Sequence, residues 1–300
     1  MVQDVAVFGS LNVDVAFTCR ALPSPGETII CDRSDLGPGG KGLNQAVAAA
    51  LAGAETIIYG ALGCDSNGQY LTEFLQSKGV STAGVVSLED YPTGLAHIVV
   101  NGAGENSIVV SSGANRAASL TPHLFASASA RVFLAQCETD PDLIAAFFDH
   151  GVCQGSLRIL NAAPALDSAR SLIGKCDILV VNEHELAFFA GEERLGNEEA
   201  SIIAAAKALL GGSTHSVIVT LGSAGVIWAS DDMCLSLPAR RVNATDTTGA
   251  GDCFCGVLAA SLAQGASMQR AIQRSIDAAA LAVTRSGAAA AIPAALEYDV

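Results

Sequence analysis

Basic residues are scarce in this chain: 16 Lys and Arg stand against 30 Asp and Glu in 300 residues, a net charge of −14. A surface of that sign repels polyanions, which argues against nucleic acid and anionic membrane surfaces as partners. Aromatic side chains are also few, 5% with a single Trp, which disfavours a site built on stacked bases. No apolar run approaches the ~20 residues that span a bilayer. The N-terminus passes through Asp4 into a strand without the basic head and apolar run of an export signal. A cytoplasmic protein is expected. The nine cysteines, at 19, 31, 64, 137, 153, 176, 234, 253 and 255, are odd in number and scattered. A chain this long needs no disulfide staples, so reduced thiols are expected. Cys253-x-Cys255 lacks the two-residue gap of a zinc knuckle, and the two positions point to different faces of a helix.

What the chain has in quantity is apolar and small: half the residues are hydrophobic, and there are 30 glycines. Short β-branched runs at 5–8, 56–59, 131–135, 158–160, 177–181 and 216–220 alternate with alanine-rich amphipathic segments at 42–54, 68–77, 140–150, 183–190, 198–210 and 251–264. A further helix is expected over 267–282. This alternation predicts an α/β fold, a three-layer mostly parallel sheet flanked by helices, in one domain over 1–300. Segments 13–36 and 93–111 break the pattern. They read as short strands joined by turns (23–26 and 101–104) and predict a small β-sheet lid over the mouth of the main sheet.

The segment Asp246-Thr247-Thr248-Gly249-Ala250-Gly251-Asp252 opens the helix at 251–264. Its glycines free the backbone to aim successive N–H groups at an anion, and the helix adds its positive end. A carboxylate beside a phosphate repels the ligand unless it has a chemical task. General base toward an attacking hydroxyl is such a task, and Asp252 is the candidate. An aspartate that merely caps a helix is the alternative.

A second rich segment, Gly37-Pro38-Gly39-Gly40-Lys41-Gly42-Leu43-Asn44-Gln45, fails as a Walker A loop because Gly42 stands where Ser or Thr would hold magnesium. It fails as a dinucleotide fingerprint because it does not follow the first strand directly. It reads instead as a flexible glycine loop that brings Lys41 and Asn44 to a small polar ligand. Asn12 and Asp14 are two apart at a strand's edge and share a face. An amide with a carboxylate suits vicinal hydroxyls, although turn chemistry explains the pair equally well. His97 and His184 carry no such pattern: His97 reads as a solvated strand residue, and His184 as a neighbour of Glu183 and Glu185.

Five segments occur in one order: Gly9-Ser10-x-Asn12-x-Asp14, Gly39-Gly40-Lys41-Gly42-x-Asn44-Gln45-Ala46, Asn182-Glu183-x-Glu185, Thr220-Leu221-Gly222-Ser223-x-Gly225 and Asp246-Thr247-x-Gly249-Ala250-Gly251-Asp252. In these the chain resembles the ribokinase-like (phosphofructokinase-B) carbohydrate kinases over essentially its whole length, and most closely their ribose-phosphorylating members. The resemblance implies sugar-binding roles for Asn12, Asp14, Gly40, Lys41, Gly42, Asn44 and Glu138. It implies that Asn182 and Glu185 organise Mg2+ and the nucleotide phosphates, and that Thr220, Gly222, Ser223 and Gly225 meet ATP. It makes Gly249, Ala250 and Gly251 the anion hole and Asp252 the catalytic base. A K+ site is implied at Asp246, Thr248, Ala282, Arg285 and Gly287, with alanine at 291 where a hydroxyl residue is expected.

The expected reaction is transfer of the γ-phosphoryl group of ATP to a primary hydroxyl. Asp14 and Glu138 would repel an acceptor that already carries phosphate. Phe17 is the sole aromatic in the first lid segment, so a neutral pentose, ribose foremost, fits better than a nucleoside. Nucleosides, other sugars and sugar acids remain alternatives, as does a sugar-binding regulator without catalysis. A small lid sheet leaves edges and an apolar face unpaired, and a homodimer through the lid is the expected remedy.

Overall fold

The computed structural model describes residues 2–103, 105–121, 124–126, 128–152, 155–196 and 198–299. Cys153 and the last residue of the 101–104 turn lie outside the described residues.

Among the described residues thirteen strands form two sheets. The nine-stranded sheet holds β1 (Gln3–Phe8), β4 (Thr56–Gly63), β5 (Ser81–Leu88), β8 (Ala130–Gln136), β9 (Leu157–Asn161), β10 (Ile178–Asn182), β11 (Ser216–Thr220), β12 (Val226–Ser230) and β13 (Cys234–Leu237). Their order is β13-β12-β11-β10-β9-β8-β1-β4-β5. All pairings are parallel except β11 with β12 and β12 with β13. The α-helices among the described residues are α1 (Lys41–Leu51), α2 (Ser66–Ser77), α3 (Ala114–Ala117), α4 (Pro141–Val152), α5 (Glu183–Ala190), α6 (Glu199–Ala208), α7 (Ala250–Ala263) and α8 (Met268–Ala282).

Alternation along β1 divides the molecule into two cores, as a strand buried on both faces must. Val5 and Val7 join the core beneath α1, α2, α7 and α8. Ala6 and Phe8 join the core with α4, α5 and α6. The few aromatics are concentrated in this second core. Phe147 has Phe133, Phe125, Phe8 and Tyr59 around it at 4.7, 5.0, 5.7 and 6.1 Å between ring centroids.

On the other face, α1 and α7 press together unusually closely. A Cβ on Gly256 would lie 2.4 Å from the Gln45 carbonyl oxygen and 2.5 Å from the Ala48 Cβ. Only glycine permits that approach, and Ala48, Ala49, Ala259 and Ala260, all fully buried, thin the rest of the seam.

The second sheet is the expected lid, with order β3-β2-β6-β7. It consists of β2 (Asn12–Thr18), β3 (Arg33–Gly39), β6 (Gly94–Val100) and β7 (Asn106–Ser111). One expectation needs correction. Residues 37–39 are not part of a flexible glycine loop: they pair with Asp14, Val13 and Asn12 as the end of β3. Only Gly40 separates that strand from α1. Strands β5, β12 and β13 were not anticipated: β5 and β13 are edge strands of largely half-exposed residues, and β12 is a five-residue run without strong alternation. The first long helix ends at Leu51, short of residue 54.

Candidate active site

The order of the large sheet reverses at β1, which lies between β4 and β8 and feeds both directions of winding. Ligands in open α/β sheets bind outside the carboxyl ends of the strands at such a point. Ser10 and Asn12 follow β1, Glu138 follows β8, Asn182 closes β10 and Thr220 closes β11. Asn12, Glu138, Asn182 and Thr220, to which the resemblance assigns sugar or nucleotide roles, therefore converge on one rim.

At the centre of that rim is Asp252, in the first turn of α7 and 6% exposed. Its two carboxylate oxygens accept one amide N–H each: Oδ2 from Asn44 Nδ2 at 2.9 Å and Oδ1 from Gln45 Nε2 at 2.9 Å. Both donors belong to the first turns of α1, held there by the seam with α7. Gln45 is itself fixed, since its Nε2 also donates to Asn161 Oδ1 at 3.1 Å and its Oε1 accepts from Gln136 Nε2 at 2.8 Å. Gln45 lies in the glycine-rich motif at 37–45, where nothing in the sequence marks it for this role. Gln136 and Asn161 carried no signal, being 91 and 116 residues away from it.

Gly249 precedes α7 with φ 76°, a left-handed conformation natural to glycine. The N–H groups that follow it open the helix beside a cavity of about 520 Å³. Thr220, Gly222, Ser223 and Gly225 line that cavity together with Ala250 and Gly251. Its other walls include Val226, Phe254 and Ile276, an apolar surround suited to a flat heterocycle.

A second cavity of about 440 Å³ lies under the lid and is lined by Ser10, Asn12, Asn115 and Glu138 among others. Asn115 Nδ2 donates to Asn12 Oδ1 at 2.8 Å, while its own Oδ1 accepts from Leu11 N at 2.9 Å. With its oxygen occupied, Asn12 presents Nδ2 as a donor. Glu138 Oε2 accepts from Ser10 Oγ at 2.5 Å and from Lys41 N at 3.2 Å. Ser10 and Asn115 thus position two expected ligands without having been anticipated. Gly42 fits because a Cβ there would lie 2.5 Å from the Gly9 carbonyl carbon. Gly40 caps α1.

Between the cavities the charges are interdependent. Burial first, then Glu138 and Asp252, raise the Asp14 carboxyl to about 6. Lys41 is held above the ordinary lysine value by Asp252, against the opposing effect of burial and with help from Glu138 and Glu185. Asn44 Oδ1 is buried without a hydrogen-bond partner among the described residues, so a polar ligand group is needed to satisfy it.

Asn182 and Glu185 form a capping box on α5: Asn182 Oδ1 accepts from Glu185 N, and Glu185 Oε2 from Asn182 N, both at 2.8 Å. Burial raises the Glu185 carboxyl, although the Asn182 N–H and Lys41 oppose it. Neither residue lines the two cavities.

Asp246 joins two chain segments by accepting from Thr248 N and Gly287 N, both at 2.9 Å. Burial pushes its carboxyl up, but these N–H groups outweigh burial and leave it below the usual range. The Ala282 carbonyl accepts from Arg285 N, and the Arg285 side chain is paired with Glu297. Cys253 and Cys255 are both buried in α7.

Residues 2–295 match the family model described as pfkB family carbohydrate kinase. The chain is 33% identical to a deoxyribokinase of Salmonella typhi, covering 99% of this chain and 98% of that protein. It is also 33% identical to a ribokinase of Schizosaccharomyces pombe, covering 99% and 96%. Among solved structures, the ribokinase of Arabidopsis thaliana complexed with ribose and ATP superposes with a TM-score of 0.89 at 28% identity, covering 99% of each chain. A base-like aspartate held by two amides at a helix N-terminus, set in this sheet and under this lid, accords with that likeness, and the chain belongs to the pfkB family of carbohydrate kinases.

Proposed function

We propose that the protein phosphorylates the primary hydroxyl of a neutral pentose, ribose in preference to deoxyribose, with ATP as donor. The observation that carries the reaction is the amide pair on Asp252. Each oxygen keeps lone-pair capacity after accepting one N–H, so the carboxylate is oriented yet able to take the proton of an attacking hydroxyl. The N–H groups from Gly249 to Asp252 are the donors toward charge on the transferring phosphoryl group. In-line attack then depends on holding the acceptor on one side of Asp252 and the nucleotide on the other.

Support for a neutral acceptor comes from charge. Asp14, Glu138 and Asp252 interact with one another at the acceptor site, and this cluster of carboxylates opposes an additional phosphate on the acceptor, even with Arg116 in the wall of the cavity under the lid. Support for ribose comes from the donor–acceptor pair of Asn12 Nδ2 and the Asp14 carboxylate, which matches two adjacent hydroxyls. Asn44 Oδ1 supplies a further acceptor. Deoxyribose would leave part of this pair unsatisfied, which is how a polar site discriminates against an analogue that lacks a hydroxyl. A nucleoside is the second choice, with Phe17 near His97 (ring centroids 6.0 Å apart) as the only aromatic face on β2.

Magnesium fits at Glu185: among the described residues no group donates to its Oε1, and a hard cation takes carboxylate oxygen, directly or through water. The ion would neutralise charge on the nucleotide phosphates. Potassium fits the loops drawn together by Asp246, with Thr248, Ala282, Arg285 and Gly287 as its proposed surroundings. The exposed Ile108, Val109 and Val110 of β7 support a homodimer through the lid.

Replacement of Asp252 by Asn is expected to lower kcat by about 10²–10⁴-fold with nucleotide binding retained; near-full turnover would remove Asp252 as the base. The acceptor site should respond to acid. Asp14 must be ionised to accept from hydroxyls, so kcat/KM for the sugar should fall as pH drops through about 6. That limb should be lost in Asp14→Asn, whose residual activity sets the comparison. ADP release from MgATP over ribose, deoxyribose, fructose, adenosine, cytidine and a sugar acid should be largest with ribose. Replacing potassium by a large organic cation should reduce it, and equal rates in both salts would dismiss the potassium site. Light scattering at micromolar concentration should report twice the 30.4 kDa chain mass; a monomer there would contradict pairing of the lids.

A further inference from the structure

Strands β2 and β3 form a hairpin whose site-facing end holds Asn12 opposite Gly39 and whose far end holds Thr18 opposite Arg33. Immediately beyond that far end the chain leaves the sheet at Cys19 and returns at Cys31. Asp32 N donates to Thr18 O at 3.0 Å across the neck, and Cys19 N donates to Val100 O at 2.9 Å, which anchors the Cys19 side to β6. These bonds bring the two thiols face to face across the mouth of an exposed loop, with Cys19 Sγ donating to Cys31 Sγ at 2.7 Å. Cys19 is buried and Cys31 half-exposed. No other pair of cysteines among the described residues is hydrogen-bonded: Cys137 and Cys176 donate to backbone carbonyls instead.

We propose that Cys19 and Cys31 are a site of reversible oxidation by hydroperoxides, and that the resulting disulfide fastens the lid hairpin at its far end. Cys31, the accessible partner, attacks as thiolate. Its sulfur bonds to one peroxide oxygen, the O–O bond breaks, and the departing hydroxide takes up the proton released by Cys31 as water. Cys19 then attacks the Cys31 sulfenic sulfur; the S–O bond breaks, and hydroxide leaves with the Cys19 proton as a second water. Two thiols lose two electrons and one peroxide becomes two waters. A dithiol reverses the step by exchange. Since β3 is an edge strand held laterally by β2 alone, covalent closure beside Arg33 suppresses fraying of its first residues.

The test uses the intact protein treated with hydrogen peroxide and quenched with N-ethylmaleimide. A peptide joining Cys19 to Cys31 within one chain is expected, and it should disappear after dithiothreitol. Trypsin provides two independent readouts. Cleavage after Arg20 falls between the two cysteines, so the oxidised fragments should remain joined on a non-reducing gel and separate on reduction. Cleavage after Arg33 requires opening of the strand and should slow by about tenfold on oxidation, since proteolysis follows the open population. Both effects should be absent in Cys31→Ser and, independently, in Cys19→Ala. Prior oxidation of the exposed Cys64 alone, linkage between chains, or unchanged cleavage after Arg33 in the linked protein would overturn the proposal.

Discussion

Everything at the rim depends on how closely α1 approaches α7. The two amides that hold Asp252 come from adjacent residues of α1, Asn44 and Gln45, and each reaches its carboxylate oxygen at 2.9 Å. Side chains of that length bridge the helices only if the backbones nearly touch, and Gly256 with its alanine neighbours allows this. An alanine at 256 would meet the Gln45 carbonyl and force the helices apart. The small-residue composition is therefore more than a packing solution: it orients the carboxylate of Asp252, the proposed base.

The same crossing concentrates negative charge. Lys41 stands against Asp252, Glu138 and Glu185, and the buried Asp14, raised by Glu138 and Asp252, shows the consequence for stability. Its folded value of about 6 lies above the ordinary 3.8. Between those values the folded chain retains a proton that the unfolded chain has released, so stability falls as pH rises through the window. At neutral pH the ionised Asp14 thus opposes folding, and the fold must tolerate it by burying apolar surface elsewhere. A group that opposes folding in this way is consistent with a ligand role, which the proposed function assigns to the adjacent hydroxyls of a sugar.

Much of this was legible in the sequence because the informative contacts are local. Gly249 and Gly251 lie within three residues of Asp252, and Asn12 and Asp14 share a strand. The alternation of strands and helices gave the three layers, and the two interruptions gave the lid. What could not be read were contacts across the fold. Asn115 fixes Asn12 from 103 residues away, and Gln45 joins Asp252 to Asn161 and Gln136 through bonds that leave no periodicity behind. The glycine segment at 37–42 misled for a related reason. Glycine and proline usually signal a loop, but pairing with β2 overrides that tendency and keeps 37–39 extended.

That correction bears on how the site works as a unit. Three residues, 9 to 11, connect β1 to β2, and Gly40 alone connects β3 to α1. The lid hairpin is therefore inserted with almost no slack between the strand at the switch point and the helix that orients Asp252. Ser10 ties the first connection to Glu138, while the Lys41 N–H ties the second to the same carboxylate oxygen. Asn12 and Asp14 on β2, the proposed sugar ligands, are consequently fixed relative to Asn44 and Gln45 through a short covalent path braced by hydrogen bonds. A flexible loop at 37–42 would have separated binding of the acceptor from orientation of the base. The extended strand makes the two a single mechanical element, which is the condition for placing a hydroxyl in line with a phosphoryl group.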